Sequence, residues 1–151
     1  MDENNNAILE KEIDLIQSCI NRMAQNSFIV KGWTVTLIAV VFALLPEKID
    51  IKLLCGIGFI ITICFWYLDS FFLKTERLYQ WKYEWVIENR LNTNLFCYNL
   101  NPHNKGMWLL NGDNSEKKEP LIIRIMVTKT LLPIYLPLIF LEIGFFIYSF
   151  V

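Results

Sequence analysis

Apolar positions in the chain follow two patterns, periodic near the start and almost continuous in three later stretches. Leu9, Ile13, Ile16, Ile20 and Met23 recur at spacings of 4, 3, 4 and 3. That is the seam of an amphipathic helix, with Glu10, Lys11, Asp14 and Gln17 off it. Residues 28–45 are then apolar apart from Lys31, Gly32, Thr34 and Thr36. Residues 53–73 are mainly apolar but carry Asp69 and Ser70, and residues 131–151 hold one charge, Glu142. A helix rises about 1.5 Å per residue, so roughly 20 such residues cross a hydrocarbon layer of ~30 Å. The pattern therefore predicts spanning helices over 27–45, 53–73 and 131–151. The short connection over 46–52 makes the first two an antiparallel hairpin.

The fold class that follows is an all-α, oligomeric membrane protein in four parts. Residues 1–26 form an N-terminal cytoplasmic amphipathic helix, 27–73 the transmembrane hairpin, 74–130 a helix-rich cytoplasmic insert, and 131–151 the third spanning helix. The insert opens as a helix continuing from the second span, over 74–91. Residues 89–120 then carry eight asparagines together with Pro102, Gly106, Gly112 and Pro120. Within them 95–100 and 107–110 flank Asn101-Pro-His-Asn-Lys-Gly106 and are expected to pair as a short β-hairpin. Residues 121–130 read as a helix lying in the interface, with Arg124 and Lys129 at headgroup level.

Composition supports the membrane reading. Of the 151 residues 54% are apolar, 15% aromatic and 19% charged, against about 25% charged in soluble domains. One small domain cannot bury that much apolar surface. Lys and Arg number three through Lys31, two in the hairpin loop, nine in 74–130 and none after the third span. By the positive-inside rule the N-terminus and the insert face the cytoplasm of an inner (plasma) membrane, with Val151 outside. A cleavable leader does not fit, because the first apolar run starts late, behind Asp2, Glu3, Glu10, Glu12 and Asp14.

The net charge of −1 argues against a duplex nucleic-acid binder. In 74–130 nine basic against six acidic residues suit anionic lipid headgroups. Cys19, Cys55, Cys64 and Cys97 form no CxxC pair, so neither a metal site nor a disulfide framework is signalled. No GxSxG, HExxH, P-loop or paired-carboxylate arrangement is present, and His103 stands alone in the asparagine-rich loop. No enzymatic activity and no cofactor are expected.

Candidate chemistry lies in polar residues within the apolar runs. Glu142 falls near mid-membrane, level with Thr36 and Thr62, where a charge costs about 2.5–3.5 kcal/mol on insertion scales. It is either a hydrogen-bonded structural residue or, with those threonines, part of an ion pathway. Lys31 and Asp69 share a depth at the inner boundary and are candidates to pair. Arg77, Trp81, Lys82 and Trp85 interleave cations with rings, as ligand-binding surfaces do and as helices leaving a bilayer through an aromatic belt also do. The seam from Leu9 to Met23 either packs on the bilayer or on the rest of its own chain, or joins one subunit to another.

Three segments carry a resemblance: Asn26-Ser-Phe-Ile-Val-Lys-Gly-Trp-Thr-Val-Thr36, Trp66-Tyr-Leu-Asp-Ser-Phe-Phe-Leu-Lys-Thr-Glu-Arg-Leu78 and Thr128-Lys-Thr-Leu-Leu-Pro-Ile-Tyr135. Their order resembles small prokaryotic membrane proteins of defence gene clusters, the SLATT class of effectors and the channel effector of Hailong-type antiphage systems. The likeness covers most of the chain and rests on membrane-packing motifs; the third crossing departs from a two-helix plan. It implies membrane disruption held silent or triggered by a nucleotide or oligonucleotide signal from a partner nucleotidyltransferase.

Three helices cannot enclose an aqueous channel, so a pore requires several copies around an axis. The expected function is thus a homo-oligomeric ion channel or pore. The alternative is a non-conducting, membrane-anchored interaction subunit that holds 74–130 at the bilayer. A transporter component lacks the internal repeat it would need.

Overall fold

The computed structural model describes residues 3–43, 50–110 and 113–150, with side chains placed for 5–43, 50–108 and 117–150. Most of the expected hairpin connection (46–49) and Val151 lie outside the described residues. The described chain is helical: α1 (Glu3–Ala43), α2 (Ile51–Asn89), α3 (Ile122–Met126) and α4 (Leu132–Tyr148). One antiparallel ladder pairs β1 (Leu109–Leu110) with β2 (Asp113–Glu116).

α1 is a single helix of 41 residues, roughly 60 Å long, where the sequence suggested two elements meeting at 26/27. No proline or glycine interrupts it before Gly32, so the helix continues through Gln25, Asn26 and Ser27. α2 runs for 39 residues. It closes where the Asn92 and Thr93 amides both bond to the Asn89 carbonyl, at 2.9 and 3.0 Å. α1 and α2 are long and apolar enough to cross a membrane. α4 has 17 residues, about 25 Å, shorter than a ~30 Å hydrocarbon layer. Pro133, in its first turn, suits the helix start because its missing N–H has no intrahelical partner there.

Two local expectations are corrected. Residues 95–98 are turns, not a strand, and the ladder forms further on, at 109–116. Phe96 and Tyr98 have φ of 56° and 54°, left-handed values that no strand accommodates. The asparagines bond locally instead: Asn99, Asn101 and Asn104 side chains accept from the amides two residues on, at 2.9, 3.0 and 3.2 Å, a turn-forming use of Asn. The interfacial helix expected over 121–130 is helical only over Ile122–Met126, and the Thr128 hydroxyl caps back onto the Ile125 carbonyl at 2.7 Å.

The chain divides into two compact units. Unit 1 is Met1–Gln25 with Leu73–Pro120, and unit 2 is Asn26–Phe72 with Leu121–Val151. The N-terminal helix and the insert, separate parts in the sequence reading, thus belong to one unit. The boundary expected at 130/131 falls at 120/121. Ile125 is fully buried, and the Met126 carbonyl accepts from Trp66 Nε1 at 3.1 Å, which ties α3 to α2 inside unit 2.

Unit 1 has an ordinary apolar core. Ile16, Cys19, Tyr79, Trp85, Val86 and Met107 form it, with Leu9, Ile20, Met23 and Tyr83 packed against it. Leu9, Ile16, Ile20 and Met23 of the α1 seam thus pack on their own chain, one of the alternatives the sequence leaves open.

Unit 2 covers its polar residues among apolar ones and leaves many large apolar side chains exposed. α1 turns Ser27, Val30, Thr34, Ile38 and Val41 inward, α2 turns Leu54, Cys55, Thr62, Asp69 and Ser70, and α4 turns Tyr135 and Glu142, with Leu131 buried just before it. The intervening Phe28, Trp33, Val35, Val40, Ile60, Tyr67 and Phe140 are exposed. Of the most apolar stretch of each long helix only 28% (α1) and 22% (α2) is buried. A core helix of a soluble domain is covered on its apolar face; here the covered faces carry the polar residues together with some apolar ones, and much of the apolar surface stays uncovered.

Candidate functional site

Glu142 is brought to Thr62 by the helical period. Tyr135 and Glu142, seven apart on α4, share a face, as do Gly58, Thr62 and Asp69 on α2. The Thr62 hydroxyl donates to Glu142 Oε1 at 2.6 Å. A Cβ at Gly58 would stand 3.3 Å from that same oxygen, so glycine lets the carboxyl group seat against α2. Glu142 Oε2 is buried without a hydrogen-bond partner. Thr36, proposed at the same depth, is not part of this arrangement: it is exposed, and its hydroxyl bonds to the Gly32 carbonyl at 2.9 Å. Two residues along a helix are about 200° apart, so Thr34 faces inward where Thr36 cannot, bonding to the Val30 carbonyl at 2.8 Å.

Lys31 and Asp69 meet, Nζ to Oδ1, at 2.9 Å. Around them stands a fuller cluster than the sequence suggested. The Ser27 hydroxyl donates to Asp69 Oδ1 at 2.5 Å, Lys31 Nζ also reaches Ser27 Oγ at 2.5 Å, and the Tyr135 hydroxyl donates to Asp69 Oδ2 at 3.0 Å. The Tyr135 ring stacks on Trp66, 5.6 Å between centroids and 7° from parallel. A fully buried carboxylate is tolerated when paired and hydrogen-bonded. Asp69 has a partner on each oxygen, so the cluster is a structural tie between α1, α2 and α4.

In unit 1 the expected ligand surface of Arg77, Trp81, Lys82 and Trp85 is largely taken up internally. Lys82 and Trp85 are 2% and 6% exposed, and Trp81 packs edge-on against Trp108 at 5.8 Å. Arg77 and Trp81 remain half-buried. This corrects the assignment of Lys82 and Trp85 to a surface. The Lys82 ammonium donates to the Asn101 carbonyl at 3.0 Å. Burial pushes its pKa down to about 8, against a smaller opposing pull from Glu12.

Two residues the sequence reading did not single out organise this unit. Arg90 is paired with Glu12 through both carboxylate oxygens, Nη2 at 3.0 Å from Oε1 and Nε bonded to Oε2. Its Nη1 donates to the Thr93 and Leu95 carbonyls, both at 2.9 Å, and the Tyr98 amide donates to Glu12 Oε1 at 2.5 Å. The pair thereby holds the left-handed turn at 96–98. A signal was present: Glu12, Ile16, Cys19 and Met23 lie at helical spacing on one face, so Glu12 faces the core.

Unit 1 also carries a cleft of about 280 Å³ lined by Lys105, Trp108, Lys117, Lys118 and Glu119. Lys117 is bonded to Glu84 at 2.5 Å and Lys74 to Glu119 at 2.6 Å. The hydrogen bond from Lys74 holds the Glu119 carboxyl below the usual carboxylate range. His103 Nδ1 stands 3.7 Å from Glu119. Among the described residues no cluster of three or more His, Cys, Asp or Glu is placed to hold a metal ion. Comparison of the chain with family models, with curated proteins and with solved structures gave no match.

Proposed function

We propose that the chain is a membrane-embedded effector of bacterial antiphage defence. It acts as a homo-oligomeric ion channel or pore, set off by a nucleotide or oligonucleotide signal from a partner nucleotidyltransferase. The observation that supports the membrane part is the distribution of side chains in unit 2: its serine, threonine, aspartate and glutamate are buried together with Val30, Ile38, Leu54 and Tyr135, while Phe28, Trp33, Ile60 and Phe140 are exposed. Large exposed apolar surface is unfavourable in water; in lipid it is the favourable arrangement, since intramembrane polar residues face the protein interior.

In this reading 27–45, 53–73 and 131–151 cross the inner membrane, the N-terminus is cytoplasmic, and unit 1 is in water. Subunits meet through the uncovered apolar faces of unit 2, because the α1 seam is occupied within unit 1. The carboxylate assigned to the ion pathway is Glu142; in this structure it is turned inward onto Thr62 of its own chain and is 2% exposed. The cleft lined by Lys105, Lys117 and Lys118 supplies positive charge for an anionic nucleotide signal. Support for the defence role comes from the three segments that resemble defence effectors.

The test is membrane-potential dye recording in cells expressing the chain with and without the neighbouring nucleotidyltransferase. Depolarisation that depends on the neighbour or its product supports the reading. An unchanged potential in every condition overturns conduction. That outcome would favour the second reading, a non-conducting anchored interaction subunit, for which the exposed Leu95, Phe96, Tyr98 and Leu100 on unit 1 are the partner surface.

A further inference from the structure

Beside Glu142 lies a groove of about 240 Å³, open on the outer face of unit 2, whose other lining residues are Cys55, Gly56, Phe59, Ile143 and Phe146. Its walls are carbon and one thiol, and its strong polar group is the Glu142 carboxyl. That side chain is 2% exposed; Oε1 is bonded to Thr62, while Oε2 has no partner. Buried polar atoms nearly always find a hydrogen bond, and an exception calls for an explanation. A trapped water explains it poorly, since a held water needs two to four polar partners and the site offers the carboxyl group and only the weakly bonding Cys55 thiol. An apolar body bearing a single charged N–H donor matches both the walls and the orphaned oxygen.

We propose that this groove is a binding site for a small lipophilic amine, its ammonium bonded to Glu142 Oε2 and its hydrocarbon body against Phe59, Ile143 and Phe146. The volume lies below the roughly 300 Å³ at which sites for drug-sized ligands begin, so the ligand is a compact ring or cage amine. A lipid headgroup amine is excluded by depth in the reading above, which sets Glu142 near mid-membrane. The site deepens that reading, giving the ion-pathway carboxylate a ligand class that would compete with cations for it. It rests on unit 2 lying in lipid and does not require conduction.

The experiment is equilibrium binding of radiolabelled 1-adamantanamine to the full chain in lipid nanodiscs, with empty nanodiscs as the partition control. Incorporation of the chain into nanodiscs reports separately on the membrane reading. Saturable binding near one amine per chain is expected. Glu142→Gln should weaken it about tenfold or more, and the neutral competitor 1-adamantanol should displace the amine at least about tenfold less well than unlabelled amine does. Gly56→Leu provides a test that leaves the carboxylate intact. Gly56 lines the site, and a Cβ there meets nothing within 4 Å, so a leucine is accommodated and its bulk at the wall should weaken saturable binding about tenfold or more. Should Glu142→Gln fail to reconstitute, Gly56→Leu decides the matter. Binding that only follows lipid content, or that persists unchanged in Gly56→Leu, overturns the proposal.

Discussion

Glu12 and Arg90 are 78 positions apart in the chain and form a two-pronged ion pair shut away from water, with side chains 4% and 0% exposed. Between them they bond the Thr93 and Leu95 carbonyls and the Tyr98 amide, so the pair fastens the start of α1 to the loop that follows α2. Removing one partner of such a pair leaves a buried charge uncompensated, at a cost of about 3–5 kcal/mol. Glu12→Gln and Arg90→Met should each destabilise unit 1 by that order, and hydrogen exchange over 91–101 should accelerate. The double variant should recover part of the loss. Equal exchange in wild type and both single variants would show that the loop is held by other contacts.

Lys82 gives unit 1 a characteristic pH response. Its folded pKa is about 8 against an ordinary 10.5, lowered mainly by burial. Between those values the unfolded chain holds a proton that the folded chain has released, so stability rises with pH across the window. The full window amounts to about 3 kcal/mol. Below pH 8 both states are protonated and the cost of the buried charge is constant. Lys82→Met should be more stable than wild type at pH 7 and lack the rise from pH 8 to 9.5. Denaturation followed by tryptophan fluorescence checks this. Readings are kept below pH 10, where the Tyr79 phenol, raised by burial and by neighbouring Cys19, begins to act in the opposite direction.

Topology is tested by reporters. A fusion before Met1 should behave as cytoplasmic and one after Val151 as external. The C-terminal fusion is the stringent case, because α4 is about 25 Å long and crosses only with local thinning of the bilayer or with flanking turns carried into it. A cytoplasmic C-terminal reporter would remove the third crossing and return Glu142 to the membrane boundary.

Conduction, if several copies surround an axis, should depend on Glu142. Rings of carboxylates favour cations over anions, and glutamine keeps the volume and the hydrogen bond from Thr62 while removing the charge. Glu142→Gln is expected to assemble normally and to conduct with reduced cation selectivity, measured as a shift of reversal potential in a salt gradient across planar bilayers. Unchanged selectivity would make Glu142 a structural partner of Thr62 and nothing more.

Much of this architecture is already legible in the one-dimensional pattern, because both the length of an apolar run and its period are local properties. The long apolar helices, the amphipathic start of α1 and the helix continuing past residue 73 all follow from them. Lys31 and Asp69 are likewise legible as neighbours in depth, since depth along a helix is a count of residues. Rotation and pairing are not local. Thr34 and Thr36 read alike in sequence, and only the packing of α1 decides that Thr34 turns inward while Thr36 stays out. Tyr135 completes the Asp69 cluster because α4 sets it there, with Trp66 stacked behind it. Arg90 closes on Glu12 because α1 and the end of α2 build one apolar core in unit 1, which also draws the Leu9-to-Met23 seam into its own chain. Periodicity assigns residues to a common face, but the neighbour of that face is set by which contacts bury the most surface and satisfy the most polar groups at once, a choice made over the whole chain.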